Sequence, residues 1–156
     1  AKLYEEEPVG INLGSFIEQQ IDSYNGINNI KINYLGLDGA VIIGPKPQLT
    51  RVIINLINNS IQALEKTEGG KILVSVRNSD EHGFYDILVE DNGPGVSQEN
   101  LDKLFTPNFT TKSSGTGLGL AISKIVLERA GASISYSKSF TLGGACFKIH
   151  YPKASR

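Results

Sequence analysis

Apolar side chains at Leu13, Phe16, Ile17, Ile21 and Tyr24 recur at helical spacing, which predicts a helix over Asn12 to Tyr24. A longer stripe (Leu49, Val52, Ile53, Leu56, Ile57, Ile61 and Leu64) predicts a second helix over Pro47 to Lys66. Pro47 suits its first turn, where a missing N–H has no intrahelical partner, and Gly69-Gly70 ends it. A third helix is expected over Gly117 to Ala130, closed by Gly131. Strands are expected in pairs. Ile30 to Leu35 and Val41 to Ile43 are joined by the Gly36 to Gly39 turn region. Lys71 to Arg77 and Phe84 to Glu90 form a hairpin through a polar segment, and Ser133 to Ser137 and Cys146 to Tyr151 flank a Gly143-Gly144 turn. Between Asp91 and Thr116 the pattern lapses, apart from a short helical possibility at Gln98 to Leu104. Helices interspersed with hairpin-like strand pairs predict an α+β fold. The expected architecture is a two-layer α/β sandwich, with a mixed, mostly antiparallel sheet covered on one face by helices.

The 156 residues suit a single domain, and a net charge of −1 gives no basic field for nucleic acid. No apolar run approaches the length of a membrane span, and the polar, acidic first ten residues do not form a signal peptide. One cysteine, Cys146, excludes an internal disulfide and fits a reducing, cytoplasmic setting. The lack of methionine and the abrupt start suggest a fragment of a longer protein, although removal of an initiator would look the same.

Three motifs carry candidate chemistry. On the second helix, Asn55, Asn59 and Gln62 share a face beside the apolar stripe. Asparagine is a poor helix former, so paired amides there point to a ligand or to Mg²⁺ already held by phosphates; a merely polar helix face gives the same pattern. Asp91-Asn92-Gly93-Pro94-Gly95 follows a strand directly. A carboxylate at a strand end, with glycines leaving space, can accept a hydrogen bond from an exocyclic amine such as that of adenine; a plain turn uses the same residues. Gly115-Thr116-Gly117-Leu118-Gly119-Leu120 runs into the third helix. Glycines bring backbone N–H groups close to an anion at a helix N-terminus, which is phosphate-binding machinery. Neither the dinucleotide fingerprint nor a Walker sequence is present. Lys112, three residues earlier, can reach a terminal phosphate, though most single lysines are simply solvated.

Taken together and in this order, the motifs resemble the catalytic ATP-binding domain of bacterial two-component sensor histidine kinases. This group lies within the superfamily of DNA gyrase, MutL and the ninety-kilodalton heat-shock chaperones. The resemblance covers the whole chain, 1–156, as one domain. Asn55 to Ser60 resembles the N box, Asp91 to Gly95 the first glycine box and Phe105-Thr106-Pro107-Asn108-Phe109 the F box. Gly115 to Leu120 resembles the second glycine box and Gly143 to Phe147 the last. The resemblance implies a Bergerat-type fold binding ATP and Mg²⁺. Asn59 would ligate the metal and Asn55 would line the phosphate end. Asp91 would take the adenine amine over a floor of Gly93 and Gly95. Gly115, Thr116, Gly117, Leu118, Gly119 and Leu120 would contact phosphates at the edge of a lid over about 96–116, with Lys112 reaching from it.

The implied reaction passes the γ-phosphoryl group to a histidine on a helical dimerisation domain of the parent kinase, then to a response-regulator aspartate. The catalytic residues would be Asn55 and Lys112. His82 and His150 do not look like the acceptor, which is expected N-terminal to this chain. Neither nucleic acid nor direct membrane contact is expected of this domain, and alone it should be a monomer. Anchoring of the parent in the inner membrane is left open. The related hydrolases carry a glutamate base one turn before the metal asparagine. Here that position is Asn55, and an amide cannot accept a proton at neutral pH. This favours transfer over hydrolysis; a serine protein kinase or ATPase of the superfamily is the alternative. Three positions depart from the pattern. Gln62 replaces a frequent cation, Asn108 a bulky F-box residue, and Ala145-Cys146 a hydroxyl near the adenine.

Overall fold

The computed structural model of the chain describes residues 7–24, 26–107 and 119–154. In chain order the elements are β1 (Val9–Asn12), α1 (Leu13–Asp22), β2 (Lys31–Leu35), β3 (Val41–Gly44), α2 (Lys46–Ala63), β4 (Lys71–Asn78) and β5 (Phe84–Asp91). 3-10 turns lie at Ile27–Asn29 and Gln98–Lys103, and α3 (Gly119–Arg129), β6 (Ser133–Lys138) and β7 (Ala145–Pro152) complete the elements. Five strands form one sheet in the order β2-β4-β5-β7-β6. Only the β2–β4 pair is parallel, so the sheet is mixed and mostly antiparallel, as expected.

One face of this sheet carries the core. Ile72, Val74 and Val76 of β4, Ile87 and Val89 of β5, and Phe147, Ile149 and Tyr151 of β7 are buried there. They alternate along the strands, so one face is apolar throughout. The stripe of α2 (Leu49, Val52, Ile53, Leu56 and Ile57) and Leu13, Phe16 and Ile17 of α1 belong to the same core cluster. Leu127 of α3 joins them.

Two expectations need correction. β2 and β3 do not pair with each other. β2 runs parallel to β4, while β3 pairs antiparallel with β1, a strand absent from the sequence reading, in a separate two-stranded sheet. Asn12 therefore ends β1 and caps α1, its side chain accepting from Ser15 N–H at 3.1 Å. Four residues alternating Val-Gly-Ile-Asn carry too little pattern to signal a strand alone. The other elements agree with expectation to within a few residues, as helix ends ordinarily do. The third helix begins at Gly119 among the described residues. No helix of the described residues is long and apolar enough to cross a membrane.

Candidate functional site

The predicted residues that the structure describes lie on α2, at the C-terminal end of β5 and at the start of α3. Asn55, Asn59 and Gln62 are half-buried along one face of α2. A Cβ built on Gly119 would lie 3.5 Å from Asn55 Cγ, in ordinary contact, so the start of α3 packs beside the amide. Asn55 Nδ2 also donates to Ser123 Oγ at 3.5 Å, a long bond to a fully buried hydroxyl. The amide thus faces the first described turn of α3. Gly119 and Leu120 are the first two residues of α3. Lys112, Gly115, Thr116, Gly117 and Leu118 lie outside the described residues, as do Asn108 and Phe109 of the F box.

Asp91 closes β5 and is 1% exposed. Its Oδ1 accepts from the N–H of Gly93 at 2.9 Å and of Ala145 at 3.2 Å. Burying a carboxylate without partners is costly, and these two charge-assisted bonds offset that cost while leaving acceptor capacity for a ligand amine. The β6–β7 turn makes this possible. Gly144 N–H donates to the Asp91 carbonyl at 3.0 Å. A Cβ at Gly144 would stand 2.4 Å from Asp91 Oδ1 and 2.6 Å from the Gly93 nitrogen. Only glycine permits that approach. The last glycine motif therefore serves Asp91 through backbone groups. Ala145 meets Asp91 through its backbone N–H and brings no side-chain hydroxyl to the site. Cys146 points to the other face of the sheet, opposite Glu90, and burial raises its thiol pKa.

Asn92 is structural. Its Oδ1 accepts from Lys71 N–H at 2.8 Å and its Nδ2 donates to the Gly69 carbonyl at 3.1 Å, pinning the turn to the start of β4. Gly93 lies against the end of α2, where an added Cβ would stand 3.2 Å from the Ala63 carbonyl. Gly95 has φ +75°, a conformation that glycine adopts without penalty. Tyr136 of β6, which the sequence reading passed over, holds the next residue, its hydroxyl accepting from Val96 N–H at 2.9 Å. The only sequence signal for it is a tyrosine on the apolar side of a strand whose other inward residue is Ile134. Beyond, Phe105 meets Phe147 edge-on at 6.3 Å. Among the described residues no group of three or more His, Cys, Asp or Glu side chains could hold a metal ion.

Comparison with known proteins bears on the family and the fold. The profile described as "Histidine kinase-, DNA gyrase B-, and HSP90-like ATPase" matches residues 44–155. The sensor protein kinase PilS of Pseudomonas aeruginosa is 34% identical over 150 residues, covering 93% of this chain and 28% of that protein. Sporulation kinase C of Bacillus subtilis is 34% identical over 137 residues, covering 86% of this chain and 31% of that protein. The chain thus spans less than a third of the length of either relative. Among solved structures, the nucleotide-free catalytic domain of histidine kinase ThkA superposes with a TM-score of 0.81 at 27% identity, over 94% of this chain and 98% of that one.

Proposed function

This chain belongs to the histidine kinase-, DNA gyrase B- and HSP90-like ATPase family, as a catalytic domain of the sensor-histidine-kinase type, and from that premise we propose that it binds Mg·ATP and donates the γ-phosphoryl group to a histidine of its parent kinase. The acceptor sits on a helical dimerisation domain outside this chain, and the phosphoryl group passes on to an aspartate of a response regulator. Asp91 receives the adenine amino group over Gly93 and Gly95, and Asn55 and the α3 N-terminus line the phosphate end. The residues suit the metal as well. With no acidic cluster among the described residues, a cation here would rest on the nucleotide's phosphates and a neutral amide oxygen, and Asn59 is one turn along from Asn55 on that face. When bound, Mg²⁺ supplies charge neutralisation. The protein's own part is positioning, which suits phosphoryl transfer, a reaction needing little covalent help. Lys112 adds a cation at the phosphate end.

One observation carries the choice of transfer over hydrolysis: the group packed against Gly119 is the amide of Asn55. It can orient phosphates but cannot take a proton from water. The test incubates the longer parent protein with γ-labelled ATP. An acid-labile, base-stable phosphoprotein is expected. An acid-stable, serine-type product or release of phosphate alone would overturn the proposal.

A further inference from the structure

The turn bearing Asp91, Gly93 and Gly95 is fastened from several sides. Asn92 ties it to Gly69 and Lys71, the Asp91 carboxylate to Ala145, and the Asp91 carbonyl to Gly144. Tyr136 adds a fastening by a side chain from β6. Its hydroxyl accepts from Val96 N–H at 2.9 Å. The same oxygen lies 3.2 Å from where a Cβ on Gly95 would stand. The ring is itself held, packed edge-on against Phe147 at 5.3 Å, its register partner on β7. Phe147 in turn meets Phe105. The segment from Val96 to Phe105 thus leaves and returns against one row of aromatic side chains.

We infer that Tyr136 is a positioning residue for the base end of the nucleotide site, its hydroxyl fixing the Gly93–Val96 backbone against Asp91. This rests on the nucleotide reading above. Filling the sheet's inner face does not account for the hydroxyl, because Ile134, two residues earlier on the same face, fills that layer with an aliphatic side chain. A hydroxyl bonded to a backbone N–H beside a left-handed glycine selects one backbone path out of several. A ligand that needs that path then avoids the cost of ordering it.

Tyr136→Phe keeps the ring on Phe147 and removes only the oxygen. In the 156-residue chain, amide exchange at Val96 should quicken about tenfold, while the central-strand amides of Val74 and Val89 stay protected. Dissociation constants for Mg·ATP and for ADP should rise together, about three- to tenfold, because the base end is common to both. Unchanged Val96 exchange, or unchanged affinity for both nucleotides, would overturn the inference. So would weakening of ATP without ADP, which would place the effect at the phosphates. Loss of protection across the whole sheet would also overturn it, since the tyrosine would then serve the fold alone. A wild-type chain that binds neither nucleotide refutes the site reading itself, a result distinct from a wild type that binds and a variant that binds equally well.

Discussion

Asp91 combines two duties that can be separated by substitution. It is a buried carboxylate satisfied by two backbone N–H groups, and it is the proposed acceptor for the adenine amine. Asp91→Ala leaves both N–H groups without their acceptor, which costs about 1–3 kcal/mol of stability. Thermal melts should register that loss, and titration calorimetry should register at least about a tenfold loss of Mg·ATP affinity if the carboxylate also meets the base. Retained affinity in a folded variant would remove Asp91 from the pocket. Asn59→Ala separates metal from base. Nucleotide affinity should fall in Mg²⁺ and stay level in its absence, and an equal fall in both would take Asn59 away from the metal. Both residues were legible in the sequence because their types are unusual for their places, an amide on a helix face and an acid at the end of an apolar strand. Tyr136 was not. A tyrosine on a strand's inner face is ordinary, and nothing local indicates that its oxygen reaches a backbone N–H forty residues away.

At the level of elements, the β6–β7 turn is as much a part of the site as the helix and the Asp-Asn-Gly-Pro-Gly turn. It is braced from within, since Ser139 Oγ donates to the buried Glu90 at 3.1 Å and accepts from Leu142 N–H at 2.9 Å. The turn presents Gly144 to Asp91 with no room for a side chain. Gly144→Ala should therefore displace it, at about 1–3 kcal/mol as for other overpacked sites, and weaken nucleotide binding with it. Gly10→Ala is the control, because a Cβ there meets nothing within 4 Å and the residue is not among the positive-φ glycines. Equal stability losses in the two variants would refute the close approach. Element types were mostly legible, the stripe of α2 above all. Pairing was not. The expected β2–β3 hairpin failed because strand partnership depends on which edge is open after the helices pack. A run such as Lys31 to Leu35 fits a parallel neighbour as readily as an antiparallel one.

Across the whole molecule, the last strand is the member that joins everything else. β7 lies between β5 and β6, and its far end reaches the small sheet, where Tyr151 Oη donates to the Ile43 carbonyl and Ala154 N–H to the Val41 carbonyl, both at 2.9 Å. Close by, His150 fastens the β4–β5 turn. Its Nδ1 is 2.8 Å from Asp86 and its Nε2 2.9 Å from Glu81, with the ring stacked on Phe84 at 4.1 Å. Burial alone would lower the pKa of this imidazole, but the hydrogen bonds and charges of Asp86 and Glu81 outweigh it and hold the value above 6.5. A folded-state pKa above the unfolded one stabilises the protein fully below the unfolded value, and this contribution is lost as pH rises through the folded value. The stability advantage of wild type over His150→Gln should therefore be largest near pH 6 and shrink towards pH 8.5. The effect should be modest, because Glu81 is 63% exposed and its charge is screened by solvent. Melting temperatures of the two proteins across that range provide the check. A gap that stays constant or widens with pH would mean that the imidazole gains no proton affinity from the two carboxylates on folding.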